Sequence, residues 1–198
     1  MTHRMLVATL LLAVAPAAPA QPGPQVWTID PNHTAAQFAV RHLLVSTVRG
    51  QFEKLSGTIQ TDGDDVRSLS VQVTIDAASV NTRVAMRDND LRSSNFFEVD
   101  KFPTITFASK RSERVDAGHF RLTGDLTIHG VTREVVLDVE GPTPPVKQGP
   151  GLRIGASATT KIRRRDFGLE YNRVIEGAAI VGEEITITID VEATRRAS

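Results

Sequence analysis

Apolar and polar side chains alternate along most of this chain from Val26 onward. In one segment Val71, Val73 and Ile75 alternate with polar neighbours, and the same pattern recurs almost to the end. A period of two puts one apolar and one polar face on each strand, which is typical of an antiparallel sheet with one solvated side. The pattern therefore predicts an all-β chain. The other apolar rows are Ala36, Phe38 and Val40; Leu55, Gly57 and Ile59; Ile105 and Phe107; Phe120, Leu122, Gly124, Leu126 and Ile128; Val135, Leu137 and Val139; and Ile185, Ile187, Ile189 and Val191.

Tight turns join the predicted strands. Asp62-Gly63 and His129-Gly130 are turn dipeptides between apolar runs, and only residues 141–151 are loop-like at length. We find no helical repeat and no second domain. Many strands with short connections favour either a closed barrel or a sandwich.

Residues 81–107 interrupt the alternation. The stretch turns apolar at Phe96-Phe97, and Pro103 returns the chain to an extended conformation. Asn81-Thr82 can cap a short helix, because a side-chain oxygen there can accept an unpaired backbone N–H. A connection this long predicts a lid over the mouth of a barrel or, alternatively, a helix that closes a solid core. Its charged side chains, several of them four residues apart as on one helix face, are Arg83, Arg87, Asp88, Asp90 and Arg92.

The first twenty residues have the features of a secretory signal peptide. Residues 5–15 are an apolar run with Thr9 as its one polar residue, and residues 18–20 (APA) form a cleavage pattern before Gln21. The apolar run is too short to span a bilayer. We therefore predict a signal peptide over residues 1–20, export, and one mature domain over residues 21–198 with no integral membrane segment.

Charge and cysteine content narrow the function classes. The chain has 23 basic and 23 acidic residues, so bulk charge does not favour nucleic acid as a partner. It has no cysteine, so an exported fold must rest on its core alone. The one basic run, residues 161–165 (KIRRR), is interpreted as a solvated strand edge.

The inward positions suggest a partly open interior. An eight-stranded barrel can be filled by side chains or can hold one small ligand. Small residues on the apolar face favour a tunnel for an elongated apolar ligand, although they also let twisted strands pack closely. These small residues are Gly57, Gly124, Ala156, Ala158 and Thr160.

The sequence carries no catalytic or metal-binding signature. No histidine pair has metal-ligand spacing, and there is no G-x-S-x-G motif. His42 has the inward parity of Phe38 and Val40, and we interpret it as a histidine satisfied by a neighbouring side chain. We predict no cofactor, no metal and no catalytic residue.

Several motifs together resemble the YceI family. Residues 27–34 (WTIDPNHT), 38–43 (FAVRHL) and 48–52 (VRGQF) resemble its opening. Residues 87–107 (RDNDLRSSNFFEVDKFPTITF) resemble its most distinctive stretch. Residues 124–132 (GDLTIHGVT) and 166–169 (DFGL) resemble its hairpin and late strand. The resemblance covers essentially the whole predicted mature chain.

The resemblance implies a fold, a location and a ligand. It implies a lipocalin-like, eight-stranded antiparallel barrel with a hydrophobic pore, to which residues 81–107 add a short helical lid. It also implies export to the periplasm and binding of a polyisoprenoid or similar long-chain amphiphile. One position departs from the family, which usually has histidine where this chain has Asp90. That exchange places an anion near the expected mouth, where it disfavours a highly anionic headgroup.

We therefore expect a non-enzymatic carrier or storage barrel for a lipid, as a monomer or homodimer. The alternatives are an enzyme acting on a lipid or isoprenoid quinone through His42 or the Arg87/Asp88 pair, and a ligand-free stress-protection module. In the carrier, Arg92 is the expected headgroup donor, and one of Phe96 and Phe97 reaches into the pore while the other packs on its edge. The predicted ligand contacts are Phe38, Val40, His42, Phe52, Val73, Ile75, Leu91, Arg92, Phe96, Phe97, Ile105, Phe107, Leu126, Ile128, Leu137, Ala158, Phe167 and Ile187.

Overall fold

The computed structural model describes residues 23–62, 65–171, 174–175, 178–179 and 181–197. These residues form strands with one short α-helix, α1 (Ala85–Arg92), and three single 3₁₀ turns. The predicted signal peptide and Gly63 of one predicted turn lie outside the described residues. The strands are β1 (Gln25–Ile29), β2 (Ala35–His42), β3 (Ser46–Phe52), β4 (Leu55–Thr61), β5 (Ser70–Asp76), β6 (Val80–Asn81), β7 (Thr104–Asp116), β8 (His119–Ile128), β9 (Val131–Glu140), β10 (Val146–Gln148), β11 (Gly151–Arg163), β12 (Val174–Ile175), β13 (Ala178–Ala179) and β14 (Val181–Arg196).

Three long strands of the sheet are each broken into two segments: β1 with β2, β3 with β4, and β5 with β6. β14 pairs with β2 along its first half and with β1 near its end. In the same way β4 pairs with β1 while β3 pairs with β2, and β5 pairs with β4 while β6 pairs with β3. When each broken strand is counted once, every long strand pairs with the long strand that precedes or follows it in the sequence.

The sheet closes on itself. β7, β8, β9 and β11 continue the antiparallel order, and β11 then pairs with β14 over thirteen consecutive residues, from Gly151 opposite Arg196 to Arg163 opposite Glu184. Because β14 also pairs with β1 and β2, the last long strand joins the first. The predicted eight-stranded antiparallel barrel is confirmed, and the sandwich alternative does not apply.

The alternating rows face the interior as predicted. On β8, Phe120, Leu122, Leu126 and Ile128 are buried, while Arg121 between them is exposed. Phe107 on β7 and Leu137 and Val139 on β9 join the same cluster. The apolar parity of the sequence therefore forms the inner face of the wall.

Two of the small inward residues have a different role from the predicted one. A Cβ atom at Gly57 would overlap the carbonyl oxygen of Gln72 on the next strand, and one at Gly124 would lie 2.5 Å from that of Ala108. Neither glycine lines the interior cavity. They permit close approach of neighbouring strands, so the prediction that they widen a tunnel was wrong.

The helix lies at one end of the barrel. β6 runs antiparallel to β3, so the chain leaves β6 towards the turn that joins β2 to β3, and α1 follows there. We call this the lid end and the opposite end the rim end. The helix begins later than predicted, at Ala85. Its N-cap residue is Val84, which makes no side-chain cap hydrogen bond, so Asn81 and Thr82 do not cap it. Among the described residues, no helix has the length and apolarity needed to cross a membrane.

Two further segments differ from expectation. Residues 161–165 do not form a solvated edge, because the side chain of Arg164 is only 2% exposed. Residues 141–151 are not loop throughout, since β10 pairs with the start of β11. The predicted turn at His129-Gly130 is present, with φ values of 51° and 73°.

The close approach at Gly57 gives a stability test. Gly57→Ala should lower the free energy of unfolding by roughly 1–3 kcal/mol, because the added methyl group forces two paired strands apart. Gly155→Ala is the matched control, since the nearest atom to its Cβ would be 3.7 Å away. Urea denaturation should show the control unchanged or slightly stabilised, by roughly 0.4–1 kcal/mol. Equal stability of the two variants would contradict the assigned packing.

Candidate functional site

The described residues of the barrel enclose an elongated apolar cavity of about 680 Å³. This volume falls within the range of small-molecule sites in proteins, roughly 300–1,000 Å³. Residues from both ends of the barrel line it, from Leu91 and Phe96 beneath the lid to Gln25 and Thr143 at the rim end. The cavity therefore runs along the barrel axis, as an extended chain would.

Most of the predicted ligand contacts line this cavity. Their binding of a ligand stays a prediction, but their placement together follows from the barrel geometry. Three predicted residues, His42, Arg92 and Phe167, are not among the lining residues. Phe167 is instead buried within the core cluster. The predicted contacts that do line the cavity are Phe38, Val40, Phe52, Val73, Ile75, Leu91, Phe96, Phe97, Ile105, Phe107, Leu126, Ile128, Leu137, Ala158 and Ile187.

The two adjacent phenylalanines of the lid diverge. Phe97 packs edge-on against Phe52, with ring centroids 5.7 Å apart, and Phe52 lies 5.8 Å from Phe38. Phe96 packs edge-on against Tyr171 at 5.4 Å. Both Phe96 and Phe97 line the cavity, whereas the sequence predicted that only one would reach it. Together they give the lid end an aromatic inner surface.

Arg92 fastens the lid to the wall. Its Nε donates to the carbonyl oxygen of Ala78 and its Nη2 to that of Val80, both at 2.7 Å. These two bonds join the end of α1 to the strand segment before it. Because the guanidinium is directed at backbone carbonyls outside the cavity, Arg92 does not occupy the headgroup position predicted for it.

The other charges of the lid are also structural. The carboxylate of Asp88 accepts from the backbone N–H of Thr82 at 2.8 Å, and Asp88 is buried. Arg87 donates to the hydroxyl of Thr82 at 2.7 Å and to its carbonyl at 2.8 Å. Arg87 and Asp88 thus hold Thr82 from two sides and form no ion pair with Arg92.

Asp90 braces the loop that carries the phenylalanines. Its carboxylate accepts from the side-chain amide of Asn95 at 2.7 Å, and its carbonyl accepts from the hydroxyl of Ser93 at 2.7 Å. Asp90 does not line the cavity. At this position, where the chain departs from the YceI pattern, the anion has a local structural partner.

Sequence reasoning missed Arg164, the charged group buried beside the cavity. Its guanidinium donates to the carbonyls of Gly182 and Tyr171 at 3.1 Å each, to that of Leu169, and to the carboxylate of Glu183 at 3.0 Å. It lines the cavity at the lid end. Burial of a charge is tolerated only when hydrogen bonds replace its water, and these partners do so. The only signal in the sequence was its shared parity with the apolar Ile162.

Several polar residues line the cavity at the rim end. Gln25, Thr61, Asp65, Arg114 and Thr143 line the cavity there. The hydrogen bonds from Arg67 lower the pKa of Asp65, and the charge of Arg114 lowers it further. The guanidinium of Arg114 forms no hydrogen bond or ion pair with the described residues. With Arg164 at the lid end, the cavity therefore has an apolar length and polar groups at both ends.

One group of side chains has the composition of a metal site. The ligand atoms of Asp30, His33 and Glu192 all lie within 4.8 Å of one another. Nη1 of Arg153 donates to Asp30 at 3.1 Å and also to Glu192, so a fixed cation already pairs with both carboxylates. The hydrogen bond from His33 is the main cause of the lowered pKa of Asp30. We interpret the group as a salt bridge across the break between β1 and β2.

Known proteins resemble this chain in both sequence and fold. The sequence model of the YceI-like domain matches residues 27–193. The chain belongs to the YceI-like family. A UPF0312 protein of Staphylococcus aureus is 32% identical over 168 residues, covering 84% of this chain and 95% of that protein.

Two solved structures resemble this YceI-like barrel. The YCEI protein of Campylobacter jejuni is 35% identical with a TM-score of 0.68, covering 79% of this chain and 90% of that one. A polyisoprenoid binding domain from Saccharophagus degradans, implicated in plant cell wall breakdown, has a TM-score of 0.63 at 19% identity. That match covers 87% of this chain and 98% of that one and shows the shared fold.

The role assigned to Arg92 can be tested without a ligand. Arg92→Ala should lower the free energy of unfolding of ligand-free protein by about 1–3 kcal/mol, because two carbonyls lose a charged donor. Arg83→Ala is the control, since this exposed side chain on the same segment makes no hydrogen bond or ion pair with the described residues. Unchanged stability together with weaker lipid binding would restore the headgroup assignment.

Proposed function

We propose that this protein is a non-enzymatic carrier or store that holds one polyisoprenoid or similar long-chain amphiphile inside its barrel. The observation that carries the proposal is the axial cavity, which is walled by aliphatic and aromatic side chains for most of its length. The shared fold with a polyisoprenoid binding domain supports the same ligand class.

The apolar wall is sufficient to bind such a chain. Burial contributes roughly 0.8 kcal/mol per CH₂, so about eight methylene equivalents supply roughly 6 kcal/mol before the cost of ordering the ligand. Polar groups at the rim end, including Arg114, support an amphiphile with a polar headgroup over a pure hydrocarbon. Binding of this kind requires no catalytic group.

The alternatives have less support in the site. An enzyme acting through His42 would need that side chain at the cavity, and within the described part of the chain no histidine lines it. Arg87 and Asp88 are both engaged with Thr82. A stress-protection module with a filled core would not need an open cavity of about 680 Å³.

We propose export to the periplasm as the location, in accord with the apolar run and cleavage pattern at the start of the chain. The mature protein from the native host should begin at Gln21. N-terminal sequencing of the periplasmic fraction measures this directly. Mature material that retains Met1 would overturn the proposal.

A substitution that blocks the cavity tests the binding site. Ala158→Phe should place a ring in the cavity and reduce affinity for a polyprenyl phosphate more than about tenfold, at a cost of roughly 1–3 kcal/mol in stability. Thr159→Phe is the matched control, because the neighbouring side chain on β11 is exposed on the outer face. Trp27 is the single tryptophan and lines the cavity, so its fluorescence reports binding.

Circular dichroism distinguishes a blocked site from an unfolded protein. The spectra of both variants should show that they keep the barrel. A folded Ala158→Phe protein that binds the polyprenyl phosphate as tightly as the parent would show that the ligand does not occupy the cavity.

A further inference from the structure

One pairing in the barrel wall is much shorter than the others. β9 and β11 pair over three residues each, with residues 138–140 opposite residues 157–159. Every other pairing of neighbouring long strands covers at least five residue pairs. β9 begins at Val131 and β11 ends at Arg163, so the unpaired parts of both strands lie in the half of the barrel nearest the lid. In that half, a slit separates the backbones of β9 and β11.

A groove of about 480 Å³ lies over this slit on the outer face of the barrel. Val135, Thr160 and Ile162 line the groove and also line the axial cavity. At the slit, therefore, side chains alone separate the groove from the cavity. The other residues of the groove are Arg133, Glu134, Val136, Lys161, Arg163, Asp166, Phe167 and Glu184.

Phe167 fills the slit. Its side chain is buried and belongs to the core cluster, yet it lines the groove and does not line the axial cavity. It lies on the 3₁₀ turn Arg164–Phe167 that follows β11, and Gly168 ends this turn with a φ of 74°. This position explains why Phe167 is absent from the cavity wall, where the sequence predicted it. Its ring lies between the cavity and the outer face.

Few hydrogen bonds hold the slit closed. The hydroxyl of Thr160 donates to the carbonyl oxygen of Val136 at 2.8 Å, and Nε of Arg133 donates to that of Asp166 at 3.1 Å. Among the described residues we find no other hydrogen bond across the slit. Separation of β11 from β14, by contrast, would break a ladder of thirteen residue pairs. Because segments with few such bonds open most readily in a folded protein, the slit is the weakest part of the wall.

We propose that the slit is the passage through which the long-chain amphiphile enters and leaves the cavity, and that the turn carrying Phe167 moves aside as its gate. The inference rests on the proposed carrier function and adds a route to it. The groove has three basic and three acidic residues, so it does not select a headgroup by charge. Its apolar floor of Val135, Ile162 and Phe167 is continuous with the cavity wall and suits a prenyl chain.

A disulfide across the slit tests this passage. If β9 and β11 paired further in the same register, the outward-facing Val136 and Lys161 would be opposite each other. The chain has no cysteine, so Val136→Cys/Lys161→Cys permits one intramolecular bridge. Oxidation should slow both uptake and release of a polyprenyl phosphate by more than about tenfold, measured by stopped-flow fluorescence of Trp27, and a reductant should restore both rates. Kd should stay constant, because a gate leaves the free and bound states unchanged.

Two controls and a variant of opposite effect accompany this test. Thr159→Cys/Thr188→Cys bridges β11 and β14, which are already paired there, and its oxidation should leave both rates unchanged. Arg133→Gln removes the bond from β9 to the gate and should speed uptake and release about threefold or more. Arg49→Gln, at an exposed position on β3 across the barrel, should leave both rates unchanged.

Three outcomes would overturn the proposal. Unchanged rates in the oxidised slit variant would show that the lipid enters at an end of the barrel. Two cysteines that stay unbonded under oxidant, as measured by mass spectrometry, would show that the edges of the slit do not meet, as a gate that closes requires. A parent protein that gives no Trp27 response and retains no polyprenyl phosphate would contradict the carrier function itself, and the passage with it.

Discussion

Closure of the sheet by the pairing of β11 with β14 is the constraint on which the rest of the structure depends. The ladder runs without interruption over thirteen residue pairs, and β14 is at the same time paired with β1 and β2 on its other edge. A closed sheet has no free edges and turns every second side chain towards the axis. In a sandwich, the apolar rows would pack against a second sheet. Here they surround an interior, so the cavity follows from the closure of the sheet.

Charged side chains lie at the two ends of the barrel. At the lid end, Arg92 and the Arg87–Asp88 pair are directed at backbone groups, so the charges of the lid fasten it to the wall. At the rim end, Arg114 borders the cavity without such a partner among the described residues. The cavity thus has an apolar length, with the lid and the buried Arg164 at one end and Arg114 at the other, which suits an amphiphile that lies along the axis.

Much of the fold could be predicted from the sequence because period-two alternation reports which side of a strand is buried. The same parity placed most cavity residues, such as Phe107 and Leu126, on the inner face. Parity does not report the distance between strands. It therefore predicts open space at Gly124, whereas this glycine permits close contact with Ala108. Nor does it report hydrogen bonds between distant segments. The sequence therefore predicts a solvated Arg164 and assigns Arg92 to a ligand headgroup, whereas both bind backbone carbonyls.

The central claim is that the cavity holds a lipid chain, and native mass spectrometry of the protein purified from its own host without detergent tests it most directly. The account predicts a complex of one barrel with one long-chain amphiphile, identified after extraction as carrying a prenyl chain. The extracted protein should keep its barrel, because the walls pack without the ligand. Protein that carries no lipid and fails to take up a polyprenyl phosphate on titration would contradict the account.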